Sequence, residues 1–399
     1  MRRSPLAAAL VALACCASLA VPAAAPLSAH EDEAPARTAP LPVPVSPDQL
    51  LAPYYESLRQ RVSLPEAGPN PALAPSLALT RIAFGSCNHQ SAPQDYWAAI
   101  AAEAPQLFLM IGDNVYGDNA WDGDAGLESL RAAYALQASH PEFRAFRARI
   151  PMLATWDDHD FGLNDAGASF PMRRWAETLF EHFWNASDAV RARPGVYDSI
   201  ITGPEGRRVQ VILLDTRFFR SDLKRAPWSK ERPPLGGYLP DESLDKTVLG
   251  EAQWAWLEAE LARPADLRII VSSTQVITQA HQFEGWTNFP VERARLLGAL
   301  TRRAPSGVVI LSGDRHAGGI YKAEHRGQTL WELTSSSLNL AFGSDVARAS
   351  AREPDPARIG PFFPMENYGL VDIDWKARRL TLTLKDSASA TLTSQSFAW

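Results

Sequence analysis

Leu107-Phe108-Leu109-Met110-Ile111-Gly112-Asp113-Asn114-Val115-Tyr116 is the stretch on which the reading of this chain turns. Five apolar residues in a row, with no polar residue between them, describe a strand covered on both faces, as in the interior of an α/β fold. The run stops at a glycine, which lets the backbone turn sharply. Acid, amide and phenol groups follow at once.

The same pattern recurs outward from this point. Ile82-Ala83-Phe84 runs into Gly85-Ser86-Cys87, and Leu153-Ala154-Thr155 into Trp156-Asp157-Asp158-His159-Asp160. Val271 leads to Ser272-Ser273-Thr274-Gln275, and Ile310-Leu311 to Ser312-Gly313-Asp314-Arg315-His316. Ligands and catalytic groups collect at strand ends of an open sheet, so five such clusters can converge on one crevice. Helices are predicted over residues 48–61, 95–103, 127–139, 172–185, 251–262 and 291–303. A hairpin is predicted around Pro204-Glu205-Gly206, and three further strands over 329–334, 369–375 and 380–385. Residues 217–248 are rich in Pro and Gly and read as a long functional or mobile loop. The alternation predicts a mixed α/β fold, with strands in two sheets and helices outside.

Arg2-Arg3 followed by the apolar, Ala-rich stretch Leu6 to Ala25 reads as an export signal covering residues 1–29. The arginine pair fits twin-arginine as well as ordinary secretory export, and the apolar stretch is also long enough for a retained anchor. After signal removal no membrane span is expected. Residues 30–76 read as a Pro/Ala-rich tether and an N-terminal helix, and 77–399 as the catalytic domain. Location in the periplasm or outside the cell follows from this reading. With 46% hydrophobic residues the chain has ample material for a large core. A net charge of −6 on an exported protein argues against nonspecific nucleic-acid binding. No internal repeat points to an array, and a monomer is expected.

Two of the three cysteines, Cys15 and Cys16, lie in the signal, which leaves Cys87 without a partner for an internal disulfide. A lone thiol at a strand end is a buried small hydrophobe, a ligand or a nucleophile. Beside it the clusters supply at least three carboxylates, a phenol and two imidazoles. Any one of these alone reads as a turn or a solvated side chain. Together, away from water, such a set needs a cation to neutralise it. Mixed oxygen, nitrogen and sulfur donors suit transition metals better than magnesium alone.

From about Arg81 to Asp374 these strings resemble the PhoD-like branch of the calcineurin-like metallophosphoesterases, which is related to the purple acid phosphatases. The Trp-Asp-Asp-His string at 156–159 and the Ser-Gly-Asp-Arg-His string at 312–316 are the specific ones. Leu214-Asp215-Thr216-Arg217, Leu249-Gly250 with Gln253-Trp254, and Thr334-Ser335-Ser336-Ser337 are weaker echoes. The resemblance implies a four-layer αββα sandwich of two mixed sheets flanked by helices. It also implies hydrolysis of phosphate mono- or diesters at a dinuclear Fe3+/Ca2+ site that activates a hydroxide. Cys87, Asp113, Tyr116 and His316 would hold the iron. Asp113 would bridge to a second cation, expected to be calcium, on Asp158 and Asp314. His159 would protonate the leaving group.

Thiolate, phenolate and imidazole donors suit a redox-capable metal, and an all-oxygen set suits Ca2+. Arg315 is a candidate phosphate clamp. It also reads as an ion-pair partner of Asp157 or Asp160. Asp160, with Asn164 and Asp165, is a candidate for orienting His159 or touching the second metal. Gln275 offers either a carbonyl ligand or a strand-end polar group. Two rival readings stand beside the metallophosphatase. One is a hydrolase with Cys87 as nucleophile and His159 or His316 as base. The other is a non-catalytic exported binding protein on the same fold. Larger family members carry an N-terminal β-domain, for which residues 30–76 are too few, so a different substrate is expected. The loop 217–248 and the segment 343–364 are expected to shape the entrance, with Phe218, Phe219, Trp228, Tyr238, Phe362 and Phe363 as wall candidates.

Overall fold

Leu107–Ile111 is the fully buried strand the sequence predicts, and its side chains divide between two cores. Leu107, Leu109 and Ile111 point into a core shared by two sheets. Phe108 and Met110 point the other way, into a layer of helices. A strand alternates its side chains, so an all-apolar run serves a sheet that is covered on both faces.

The computed structural model describes residues 45–227, 235–303 and 307–399. The signal reading of 1–29, the start of the tether and Trp228 lie outside the described residues. The first sheet has six strands, ordered Thr391–Ala398, Arg379–Asp386, Asn367–Asp374, Arg81–Gly85, Leu107–Ile111 and Met152–Thr155. The second has seven, ordered Arg358–Phe363, Gly318–His325, Gln328–Ser335, Val308–Ser312, Leu267–Ser272, Val209–Leu213 and Asp198–Thr202. Both are mixed. In the first, the strands at 81, 107 and 152 are parallel. In the second, those at 209, 267, 308 and 328 are parallel.

Three apolar clusters sit between the layers. The inner one joins Phe84, Leu109 and Ile111 to Val211, Ile269 and Leu311 across the two sheets. An outer cluster packs helices Tyr96–Ala102, Glu128–Ser139 and Arg173–Trp184 against Ala83, Phe108 and Met152. The third packs helices Gly250–Leu261 and Pro290–Arg303 against Ile212, Ile270 and Ile310. Two mixed sheets face to face with helices outside each is the expected four-layer αββα arrangement. A fully buried aliphatic residue in such layers contributes about 1.5–3 kcal/mol.

Val45–Trp399 forms one compact unit. The helix Pro47–Arg61 starts at a capping box, Ser46 with Gln49, and packs Tyr55 flat on Trp175 with ring centroids 5.2 Å apart. Asp48 pairs with Arg173 at 2.9 Å. The chain from 62 to 80 lies on the same body through Ala67, whose amide donates to Phe183 O, and through Asn70, which bonds both backbone groups of Met152.

Sequence patterning missed three strands of the two large sheets. Gly318–His325 pairs along its whole length with Gln328–Ser335 through Arg326-Gly327, both at positive φ as a two-residue hairpin turn requires. Arg358–Phe363 and Thr391–Ala398 are edge strands, one in each sheet. The last exposes Thr391, Ser394 and Ser396, so it carries little apolar signal. The loop 217–248 contains a short ribbon, Lys224–Arg225 paired with Tyr238–Leu239.

Candidate metal centre

The parallel strands bring their carboxyl ends together where the two sheets meet. Thr155 Oγ1 donates to Leu214 O at 2.9 Å and Trp156 Nε1 to Asp215 Oδ1 at 2.8 Å, which ties the first sheet to the second. Gly112 stands at φ 113°, and a Cβ there would lie 2.6 Å from Asp157 Cβ and 2.9 Å from Ser273 Cβ. Gly313 is needed for a different reason. Its backbone is not left-handed, but a Cβ there would lie 2.4 Å from Ser86 Oγ.

Cys87, Asp113, Asp314 and His316 all hold left-handed backbone, at φ 57°, 47°, 70° and 49°. Residues with side chains seldom adopt this conformation unless their surroundings impose it. Each turn aims a donor into the crevice. The Cys87 thiol is buried, 3.4 Å from Asp113 Oδ2 and 3.1 Å from Ser336 Oγ. Tyr116 OH donates to Asp113 Oδ2 at 3.1 Å and lies 3.2 Å from His316 Nε2. The donor atoms of Cys87, Asp113 and His316 fall within 4.8 Å of one another.

Two further groups of comparable closeness continue from this one: Asp113, Asp158 and His159, then Asp157, Asp158 and Asp314. Asp113 belongs to the first two groups and Asp158 to the last two. A fourth group joins Asp158 to Asp165 and Glu284.

The electrostatics match a cation-holding pocket. Burial, followed by the charge of Asp113, pushes the Cys87 thiol well up. Burial is also the main cause of the raised values at Asp113, Tyr116 and Asp314. His316 is pushed down to about 4 by burial and then by the positive charges of His159 and Arg315. Asp113 Oδ1 is buried with no hydrogen-bond partner among the described residues. A buried carboxylate oxygen without a donor is costly, and a cation at that position removes the cost. The donor set therefore fits a metal.

His159 sits at the edge of this cage. Its Nδ1 lies 2.6 Å from Asp118 Oδ1, and its ring centroid is 4.2 Å from that of Tyr116. Burial works against its charge. The carboxylates of Asp158 and Asp113 and the hydrogen bond to Asp118 outweigh burial and raise it to about 11.

Two expectations about neighbouring groups need correction. Arg315 pairs with Glu353 at 2.6 Å and lies over the Phe283 ring, not against Asp157 or Asp160. The partner of Asp157 is Arg217, whose Nε donates to Oδ1 at 2.6 Å. Asp160 does not orient His159: its oxygens accept from Asn114 and from the Asp157 amide, capping the short helix Asp158–Phe161. Asp118 takes the orienting position. Its sequence signal was the cluster itself, which runs two residues past Tyr116.

Asp165 binds Asp158 Oδ2 through its amide at 2.7 Å, and its own carboxylate accepts from Tyr238. Asn164 is exposed. Gln275 spends its amide on Thr334 and His281. Of the described wall candidates, Phe218 and Phe363 pack in the cores, Phe219 packs against one, and Phe362 lines a cavity taken up below.

Sequence reasoning also missed the network behind Asp157. Arg217 bridges Asp157 and Glu284, and Arg220 also reaches Glu284, at 3.0 Å. Ser273 Oγ donates to Asp157 Oδ1 at 2.6 Å.

The model of the family described as PhoD-like phosphatase matches residues 82–167 and 170–384. The chain belongs to the PhoD-like phosphatase family. A curated relative, "Alkaline phosphatase D" of Bacillus subtilis (strain 168), is 25% identical over 313 residues, 66% of this chain. This PhoD-like chain spans about half of that relative's length, 51%. A solved structure described as "Structure of PhoD" superposes with a TM-score of 0.64 at 18% identity, over 82% of this chain and 71% of that one. That likeness bears on the fold, and it agrees with the two-sheet architecture.

Proposed function

We propose that this PhoD-like chain is an exported, metal-dependent hydrolase of phosphate mono- or diesters. The observation that carries the reading is the convergence of Cys87, Asp113, Tyr116 and His316 heads, with Asp158 and Asp314 beyond the shared Asp113. Thiolate, phenolate and imidazole suit iron(III), and the carboxylate set suits a hard cation such as Ca2+. When bound, the pair of cations supplies positive charge for the non-bridging phosphate oxygens and lowers the pKa of a water molecule.

The chain's own groups do the rest. Asp118 holds Nδ1 of His159, which leaves Nε2 to give its proton to the departing oxygen. One P–O bond to water forms, one P–O ester bond breaks, and the water's proton leaves to solvent. Asp160 and Asn114 brace the loop that carries Asp158 and His159. A nucleophilic Cys87 fits less well, because a reactive thiol is exposed and low in pKa, whereas this one is buried and raised.

Elemental analysis beside assays on p-nitrophenyl phosphate and bis(p-nitrophenyl) phosphate tests the reading. Iron and a second cation are expected, with activity lost to a chelator and restored by metal. Cys87→Ser should lose iron, and Tyr116→Phe should lose a visible charge-transfer band. Full activity in metal-free protein would refute the assignment.

Arg2-Arg3 and the apolar stretch after them support export to the periplasm or beyond, with residues 30–76 leading into a catalytic domain from 77 that acts as a monomer. Among the described residues no helix is long and apolar enough to cross a membrane. N-terminal sequencing and size-exclusion chromatography of exported protein test both points.

A further inference from the structure

A cavity of about 590 Å³ opens beside the candidate metal centre, and nothing in the reaction outlined above uses it. Its connection to the site is direct. Phe342 lines it and also lies flat on the His316 ring, with centroids 5.0 Å apart and planes 17° from parallel. The Phe342 amide donates to His316 O. Arg315, the residue before His316, forms another part of the wall.

The lining combines aromatic and cationic side chains. Phe283, Phe342 and Phe362 supply the apolar surface. Phe342 is 64% exposed, unusual for a ring of that size, so its outer edge is open to whatever enters. The Arg315–Glu353 pair is buried and internally neutral. Arg348 and Arg352 are four apart on the helix Val346–Arg352, which places them on one face, and both line the cavity. Among the described residues neither guanidinium has an ion-pair partner. Asp345 spends a carboxylate oxygen on capping the Arg348 amide at 2.9 Å.

We infer that this cavity holds the organic group of the phosphate ester, and that the group it fits is a flat aromatic one carrying an anionic substituent. The inference rests on the phosphate-ester reading and narrows its substrate class. With phosphorus held at the strand ends, an organic group that extends past His316 meets this space, which has the size of an ordinary small-molecule subsite. Ring faces favour stacking of a flat group. A pair of guanidinium forks in the wall, Arg348 and Arg352, matches a carboxylate or a second phosphate.

The test is calorimetric titration of the metal-loaded enzyme with three non-hydrolysable probes: methylphosphonate, phenylphosphonate and 4-carboxyphenylphosphonate. Phenylphosphonate is expected to bind about tenfold more tightly than methylphosphonate, as one stacked ring allows. The carboxylate should add about threefold to fivefold. Phe342→Leu, which keeps apolar cover on His316, should cut the phenyl advantage to about twofold. Arg348→Ala/Arg352→Ala, at two exposed positions, should abolish the carboxylate advantage. Equal binding of phenyl and methyl probes, or advantages that survive in these variants, overturns the inference. Hydrolysis of bis(p-nitrophenyl) phosphate by the same preparations reads the other question. An active enzyme without a phenyl preference loses only the cavity assignment, whereas a metal-loaded protein that hydrolyses no ester loses the phosphoesterase reading.

Discussion

The two halves of the candidate centre solve the problem of buried charge differently. On the Cys87 side the donors face each other: thiol, phenol, imidazole and one carboxyl, with no lysine or arginine among them. On the Asp157 side the protein brings its own cations, since Arg217 and Arg220 are buried with Asp157 and Glu284. The first half is neutral only while protonated or metal-loaded. In the second half the fold itself neutralises Asp157 and Glu284, while Asp158 and Asp314 have no arginine partner among the described residues. A metal should therefore matter more to the state of the first half, and an arginine more to the stability of the second.

Four experiments break or sharpen that contrast, and the strongest acts on the residue common to both. On the proposed assignment, in which Asp113 would be shared by two cations, Asp113→Asn should lower phosphoesterase activity on the order of a thousandfold or more, with both cations reduced in elemental analysis, because such a ligand affects several kcal/mol of charge stabilisation. Arg217→Met should leave buried Asp157 without an ion-pair partner and Glu284 with Arg220 alone, and lower unfolding free energy by about 3–5 kcal/mol in a urea titration. If that variant unfolds like the wild type, the second half is not neutralised by the fold.

Asp118→Asn should reduce kcat by about tenfold to a hundredfold, the usual cost of losing a group that orients a site residue. It should also move the basic limb of the pH–rate profile to lower pH if His159 is the proton donor. The smallest effect is in metal-stripped protein. There His159 is raised to about 11, above its unfolded value of about 6.5. Its stabilising share is complete below the unfolded value and is lost as pH climbs toward the folded one. The urea midpoint of stripped protein should thus fall between pH 7 and 10, and fall less in His159→Gln.

Local pattern carried much of this architecture. Leu107–Ile111 and Val308–Ser312 were legible because a doubly covered strand must be apolar throughout. The polar clusters were legible because each follows such a strand directly. Gly318–His325 was hidden because two glycines dilute its pattern, and its pairing depends on a turn at Arg326-Gly327. Thr391–Ala398 was hidden because an edge strand half-exposed to water is under little pressure to be apolar. Asp118 was overlooked because an acidic loop residue looks like any solvated one until a histidine is placed 2.6 Å away.

The amino-acid order by itself determined the kinds of donors and the strand ends that carry them, because both are properties of neighbours along the chain. Only the tertiary structure decided which carboxylate is free for a cation and which is already occupied. Arg217 takes Asp157, Glu353 takes Arg315, and Asp160 turns to Asn114. Those choices depend on how two sheets stack and on which loops lie within about 4 Å of each other, the reach of a contact ion pair. No spacing in the sequence encodes that distance.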